Sequence, residues 1–168
     1  MSRRELLLAF KRGAFDAATL LRRVADLNAV STLPLAEGQR GLWMLERSAN
    51  GGYNVPLAFR IRDPLDVDLF RAAWALTLQD HPLLRTTMRT HDGALVQRIA
   101  PLRDLPFERV DVSAWTEAHI EQHMHALAKR TMSLQDGPLA TLYLLSRDSR
   151  DHIALLVAHH IVFDGGSV

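Results

Sequence analysis

The sequence predicts an α+β domain built as a two-layer sandwich, with helices packed on a mainly antiparallel sheet. Two observations lead to this class. Short apolar or alternating segments typical of strands are interspersed with amphipathic segments typical of helices. Two pairs of strand segments are also joined by turns of only a few residues, which favours antiparallel neighbours. With 168 residues, of which 48% are hydrophobic, the chain can bury one sizeable core.

The overall composition excludes several classes of function. The formal charge of +1 gives no bulk attraction to nucleic acid or to an anionic membrane. The chain has no cysteine, which excludes disulfides, a thiolate nucleophile and thiolate metal sites, and which suits a reducing compartment. The apolar run at residues 6–10 is too short for a signal peptide or a membrane span. We therefore expect a cytoplasmic protein.

Residues 1–30 predict two short amphipathic helices that meet near Gly13, with Asp16 as the N-cap of the second. This segment contains six basic and three acidic side chains. An amphipathic stripe does not identify its partner, so the hairpin could pack on its own domain as a linker or dock onto another polypeptide.

Residues 31–34 predict a turn, and we place the boundary of the main domain there. The main domain is therefore expected at residues 31–168. A helix over residues 34–45 follows, with Leu42, Trp43 and Leu45 facing inward. After a glycine-rich turn, the alternation in residues 53–62 predicts a strand with one buried face.

The middle of the chain predicts a helix and then a hairpin. Asp68 is the expected N-cap of a helix that ends near Gln79, and Pro82 stops it. Two strands, at residues 86–90 and 94–99, flank an Asp-Gly pair, which is a strong hairpin signal. A further strand is expected at residues 107–112.

The third major helix is expected at residues 116–130, with Ile120 on its buried side. His119 and His123 lie one turn apart, but no third ligand is evident, so we predict no metal site. A Gly-Pro turn at residues 137–138 then leads into a strand at 140–146. The apolar run at residues 153–158 predicts a fully buried strand that ends at two histidines.

The last ten residues carry the candidate chemistry. His159 and His160 emerge at a strand end, before Asp164 and Gly165 in a glycine-bearing turn. A neutral imidazole can accept or position the proton of an attacking amine or hydroxyl. Asp164 is predicted to face a buried cation, because an unpaired buried carboxylate is costly. The alternative is a pair of core histidines whose ring nitrogens are satisfied by backbone.

The pattern His-His-x-x-x-Asp-Gly at residues 159–165 resembles the signature of the condensation domains of nonribosomal peptide synthetases and polyketide–peptide hybrids, which share a superfamily with chloramphenicol acetyltransferase. Three upstream segments resemble further motifs of that family in the same order. The matching residues are Gln39, Leu42, Trp43 and Leu45, then His81, Leu84, Arg85 and Thr86, then Gly137, Pro138 and Leu139. The resemblance covers residues 34–168, and joint occurrence is more specific than any one motif.

The resemblance implies a role for each residue of the signature. His160 would be catalytic in acyl transfer, with His159 beside it. Asp164 would hold the shape of the site, and Gly165 would let the backbone approach substrate. Arg85 is the candidate cation for Asp164, because a guanidinium can hold a carboxylate at two points. The alternative for Arg85 is an exposed strand residue.

The resemblance also implies the N-terminal lobe of the chloramphenicol acetyltransferase-like fold. Its partners would be the C-terminal lobe of the same domain and acyl or peptidyl carrier proteins. No cofactor is expected to bind directly, since the phosphopantetheine arm belongs to the carriers. Residues 1–30 resemble leaders that dock an upstream synthase subunit. The whole protein would form an amide or ester from a carrier-bound thioester, and we expect this chain alone to be nearly inactive.

Two other functions stay open at this point. The chain could be a non-catalytic docking or recognition fragment of an assembly-line synthase, which the basic leader favours and the intact histidine signature disfavours. It could also belong to a free-standing acyltransferase that uses coenzyme A, against which the first motif argues.

Overall fold

The computed structural model describes residues 8–10, 12–14, 16, 19, 31–48, 52–101 and 104–164. Its helices are α1 (Glu37–Ser48), α2 (Val67–Asp80) and α3 (Glu117–Ala128), with a 3₁₀ turn at Pro82–Arg85. Its strands are β1 (Ser31–Pro34), β2 (Asn54–Ile61), β3 (Thr86–His91), β4 (Ala94–Ile99), β5 (Phe107–Asp111), β6 (Ala140–Ser146) and β7 (His152–His159).

The strands form two sheets. The larger sheet has the order β2-β7-β6-β5, in which only β5 and β6 run parallel. The smaller sheet has the order β1-β4-β3 and is antiparallel throughout. The predicted α+β class with a mainly antiparallel sheet is confirmed.

Strand β7 lies at the centre of the larger sheet and is covered on both faces. Ala154 and Ala158 belong to the apolar cluster that includes α2, whereas Ile153, Leu155 and Val157 belong to the cluster that includes α3. Successive side chains of a strand point to opposite faces, so helices pack on both sides of this sheet. That is one layer more than the predicted sandwich. The fully buried strand predicted from its continuous apolar run is confirmed.

Two local predictions differ from the structure. Residues 31–34 form strand β1, which pairs with β4, and are not a turn. All four residues of this strand are exposed, so no buried face produces a hydrophobic pattern, and the strand forms by pairing with a distant strand. Helix α2 is capped by Asp66, whose carboxylate accepts the N–H of Leu69 at 3.0 Å, and Asp68 lies in the first turn.

The hairpin predicted around Asp92 and Gly93 is confirmed. Asp92 has φ of 49° and Gly93 has φ of 76°, the positive values that a tight two-residue connection requires. Helix α3 begins after Thr116, whose hydroxyl accepts the N–H of His119, and Ile120 is buried as predicted.

Most of the leader, residues 1–30, lies outside the described residues. Within the described part, Gly13 has φ of 71° and donates its N–H to Phe10, as at the end of a helix. Asp16 accepts the N–H of Thr19 at 2.7 Å, in agreement with its predicted capping role. None of the helices in the described ranges combines the length and the apolar character needed to cross a membrane.

Candidate active site

The two histidines lie where the central strand ends. His159 is the last residue of β7, and His160 begins a turn that continues to Val162. The N–H of His160 donates to the carbonyl of Tyr53 at 2.7 Å, and the N–H of Val162 donates to the carbonyl of His159 at 3.0 Å. The backbone that carries His160 is therefore fixed on both sides.

His160 is exposed and lines a cleft of about 400 Å³. The other wall of the cleft comes from the start of α1, and the lining includes Ala36, Gly38, Gln39, Leu42 and Asp164. A ring in this position can exchange a proton with a ligand in the cleft. The structure thus places His160 at a strand end beside a cleft, and its catalytic role stays a prediction.

His159 occupies the opposite environment. Its side chain is 1% exposed, and its Nδ1 atom accepts the N–H of Ile161 at 3.1 Å. Its Nε2 atom lies 3.5 Å from Oε2 of Glu46. Burial lowers the pKa of His159, Glu46 acts in the opposite direction, and the charge of His160 lowers it further. This ring is buried, and its Nδ1 atom contacts the backbone of the turn.

Gln39 joins α1 to the same turn. Its Nε2 donates to the carbonyl of Ile161 at 3.2 Å, and its Oε1 accepts the N–H of Ala36 at 2.9 Å. Gln39 was expected only as part of a motif match. Its contacts give that match a physical role, because they fix the distance between α1 and the turn of His160.

Glu46 was missed by the sequence reasoning. It lies seven residues after Gln39, so both side chains belong to one face of α1, the face that also carries the partly buried Leu42 and Trp43. A carboxylate on the helix face that carries Leu42 and Trp43 was the available signal. Leu45, predicted to face inward, is instead 51% exposed, because it lies on the outer side of this helix.

Asp164 is exposed and lies at the edge of the cleft that contains His160. Gly165 lies outside the described residues. Their predicted roles, in holding the site's shape and in allowing close approach of substrate, stay predictions.

Arg85 belongs to the 3₁₀ turn, and its side chain is partly buried. Its Nε donates to the carbonyl of Leu78 at 3.1 Å, and its Nη1 donates to the carbonyl of Ala100. These bonds connect the end of α2 to the segment after β4. Arg85 lines a different cavity from Asp164, and the pairing of the two side chains stays a prediction.

The histidines of α3 pack against an aromatic ring. The ring of His119 stacks on Trp115 with 4.2 Å between centroids, and the ring of His123 meets Trp115 edge-on at 5.0 Å. Across the described part of the chain, no group of three or more His, Asp or Glu residues is arranged to hold a metal ion.

Comparisons with known proteins agree on one family. The family model described as "Condensation domain" matches residues 30–168. The chain is 36% identical over 137 residues to polyketide synthase PksN of Bacillus subtilis (strain 168), a match that covers 80% of this chain and 2% of that protein. It is 38% identical over 142 residues to a linear gramicidin synthase of Brevibacillus parabrevis, covering 81% of this chain and 2% of that protein.

Solved structures agree on the fold. The starter condensation domain of rhizomide synthetase RzmA superposes with a TM-score of 0.74 at 24% identity, covering 81% of this chain and 34% of that one. The first condensation domain of the calcium-dependent antibiotic synthetase superposes with a TM-score of 0.72 at 21% identity, covering 80% and 34%. This chain therefore spans about a third of either structure. It belongs to the condensation-domain family and corresponds to the N-terminal part of such a domain.

Proposed function

We propose that this chain supplies the histidine-bearing part of a condensation domain in a nonribosomal peptide synthetase or a hybrid polyketide synthase. The whole protein would join an amine or hydroxyl to a carrier-bound acyl thioester and so form an amide or ester. The observation that carries this proposal is the exposed ring of His160, beside a cleft, on a turn that backbone hydrogen bonds hold in place.

In the proposed reaction, His160 accepts or orients the proton of the attacking nucleophile. The new C–N or C–O bond forms as the C–S bond of the thioester breaks, and the proton passes from the imidazole to the departing thiolate. Backbone N–H groups of the glycine-bearing turn that contains Gly165 would stabilise the developing oxyanion. The chain's own residues thus supply a base and a fixed geometry.

The other residues of the signature would act on the shape of the site. His159 would hold the turn from inside the protein. Asp164 would be held by a cation, for which Arg85 is our candidate, as a carboxylate that fixes the loop. Gly165 would let the backbone approach the substrate.

The partners follow from the same proposal. Acyl or peptidyl carrier proteins would present the thioester on a phosphopantetheine arm. The C-terminal lobe of the same domain would form the opposite wall of a tunnel. Orientation of two substrates between two walls accounts for much of such a catalysis, so we expect the N-terminal part alone to have little or no activity.

The proposal divides the chain into a leader at residues 1–30 and the lobe at residues 31–168. The six basic residues of the leader favour a second candidate function, which is docking of an upstream synthase protein. A binding titration of the whole synthase with the upstream C-terminal segment, with and without residues 1–30, tests it. Equal affinity of both forms would assign the leader to packing within its own polypeptide.

The catalytic proposal is tested by His160→Ala in the whole synthase, with carrier proteins already loaded. We expect product formation to fall at least about 100-fold while loading of the carriers is unchanged. His125→Ala is the matched control, because His125 is an exposed histidine on α3. Product formation at the unmodified rate in the His160 variant would refute the assignment.

A further inference from the structure

We infer that Glu46 is a positioning residue for the reaction proposed above, since its contact with His159 holds the turn that presents His160. The inference rests on the proposed function, and it assigns a task to a buried carboxylate that belongs to none of the four sequence motifs. Glu46 does not reach the cleft lining, so its effect passes through another residue.

The two side chains form a buried polar pair. The side chain of Glu46 is 13% exposed and that of His159 is 1% exposed, and Oε2 of Glu46 lies 3.5 Å from Nε2 of His159. Both atoms are enclosed, and neither makes a hydrogen bond to another atom of the described residues. Within the described residues, Oε2 of Glu46 and Nε2 of His159 are therefore each placed to serve as the polar partner of the other.

The position of the ring proton follows from the other ring nitrogen. The N–H of Ile161 donates to Nδ1 of His159, so Nδ1 carries no proton. In a neutral imidazole the single proton then lies on Nε2, on the side of Glu46. A carboxylate is the acceptor best suited to this N–H, and a small approach of the two side chains makes a charge-assisted hydrogen bond.

This pair gives α1 a second contact with the turn. The first contact is the hydrogen bond that Gln39 donates to the carbonyl of Ile161. Two helical turns later, Glu46 faces the ring of His159. That ring accepts the N–H of the same Ile161. The carbonyl of Ile161, the residue next to His160, is thus bonded directly to α1, and its N–H is bonded to the ring that Glu46 of α1 faces. A change of acceptor at Glu46 should therefore move His160 relative to the cleft.

The test compares Glu46→Leu with Glu46→Gln in the whole synthase. Leucine keeps the volume but offers no acceptor, whereas the glutamine amide oxygen can still accept from Nε2 of His159. We expect kcat of the leucine variant to fall about 30-fold or more, with KM for the loaded carrier and the melting temperature nearly unchanged, because small misplacements of catalytic groups are costly. The glutamine variant should stay within about threefold of the unmodified protein.

Hydrogen exchange provides a readout that does not depend on activity. In the leucine variant, peptides that cover residues 153–164 should exchange faster at the turn, because the N–H of Ile161 loses its oriented acceptor. Glu121→Leu is the matched control, since Glu121 is an exposed glutamate on α3 and does not line the cleft of His160, and it should change neither kcat nor exchange at the turn.

Three outcomes would overturn the inference. These are a leucine variant with unmodified kcat, a glutamine variant as slow as the leucine variant, and unchanged exchange at the turn. Failure of the proposed function looks different: His160→Ala would then retain activity, while the exchange difference caused by Glu46→Leu would persist.

Discussion

Replacing His159 by asparagine should remove a specific dependence of stability on pH. Asparagine keeps an oxygen near the position of Nδ1, so the N–H of Ile161 retains an acceptor, but it carries no titrating group. The imidazole of His159 is buried, and burial lowers its pKa in the folded protein. The unfolded chain therefore binds a proton at this residue more readily than the folded protein does.

The sign and size of the effect follow from proton linkage. Because the unfolded state binds more protons, the free energy of unfolding falls as the pH drops below the unfolded pKa of about 6.5. A single group changes the free energy of unfolding by at most about 1.4 kcal/mol per pH unit, and only at pH values below its pKa in the unfolded chain. That pKa of about 6.5 is the midpoint between pH 7.5 and pH 5.5, so the total loss over this range is at most about 1.4 kcal/mol. The neighbouring charge of Glu46 opposes the shift and makes the loss smaller, whereas His160 increases it.

Urea unfolding at several pH values between about 5.5 and 7.5 measures this difference. The wild-type protein should lose more stability than His159→Asn as the pH falls, and the gap should widen steadily below about pH 6.5. His91→Asn is the control for replacing a histidine at an exposed position. Parallel loss of stability in wild-type protein and His159→Asn would refute a buried neutral imidazole at this position.

Three further predictions concern packing and turns. Gln39→Leu removes the hydrogen bonds to Ile161 and Ala36, and it should lower the free energy of unfolding by about 1–3 kcal/mol, measured in urea. Leu78→Ala opens a cavity at a fully buried site and should cost about 2–5 kcal/mol, whereas Leu45→Ala at an exposed site should stay within about 0.5 kcal/mol. Both Gly93→Ala and Gly137→Ala place a side chain at positive φ, but only the second brings Cβ to 3.0 Å of Thr87, so thermal unfolding should show a larger loss for Gly137→Ala. Equal costs within either of these last two pairs would contradict the packing described.

The elements with strong local signals were predictable. The hairpin at Asp92 and Gly93 follows from its turn chemistry, and helix α3 follows from its cap and apolar spacing. The continuous apolar run of β7 indicated a strand buried on both faces. His160 follows the last residue of this strand, where the chain reaches the surface. Strand β1 was not predictable, because it is exposed and forms only by pairing with β4.

The candidate site also has one part that local sequence signals predict and one part that they do not. His160 and its turn are encoded in one short segment, so the sequence alone indicated them. The contacts of Gln39 and Glu46 with that segment join residues far apart in the chain, and local patterns carry no information about such pairs. Leu45 was misplaced because the helical face was assigned from apolar residues alone, whereas the inward face of α1 also carries Glu46.

The most direct test of the account is chemical rescue at the position of His160. In the whole synthase with loaded carriers, His160→Gly removes the ring, and the cleft of about 400 Å³ has room for a molecule of imidazole. We predict that the single-turnover rate of product formation falls at least about 100-fold and that added imidazole raises it again in a saturable manner. An unmodified rate in His160→Gly without imidazole would contradict the claim that this ring performs the proton transfer.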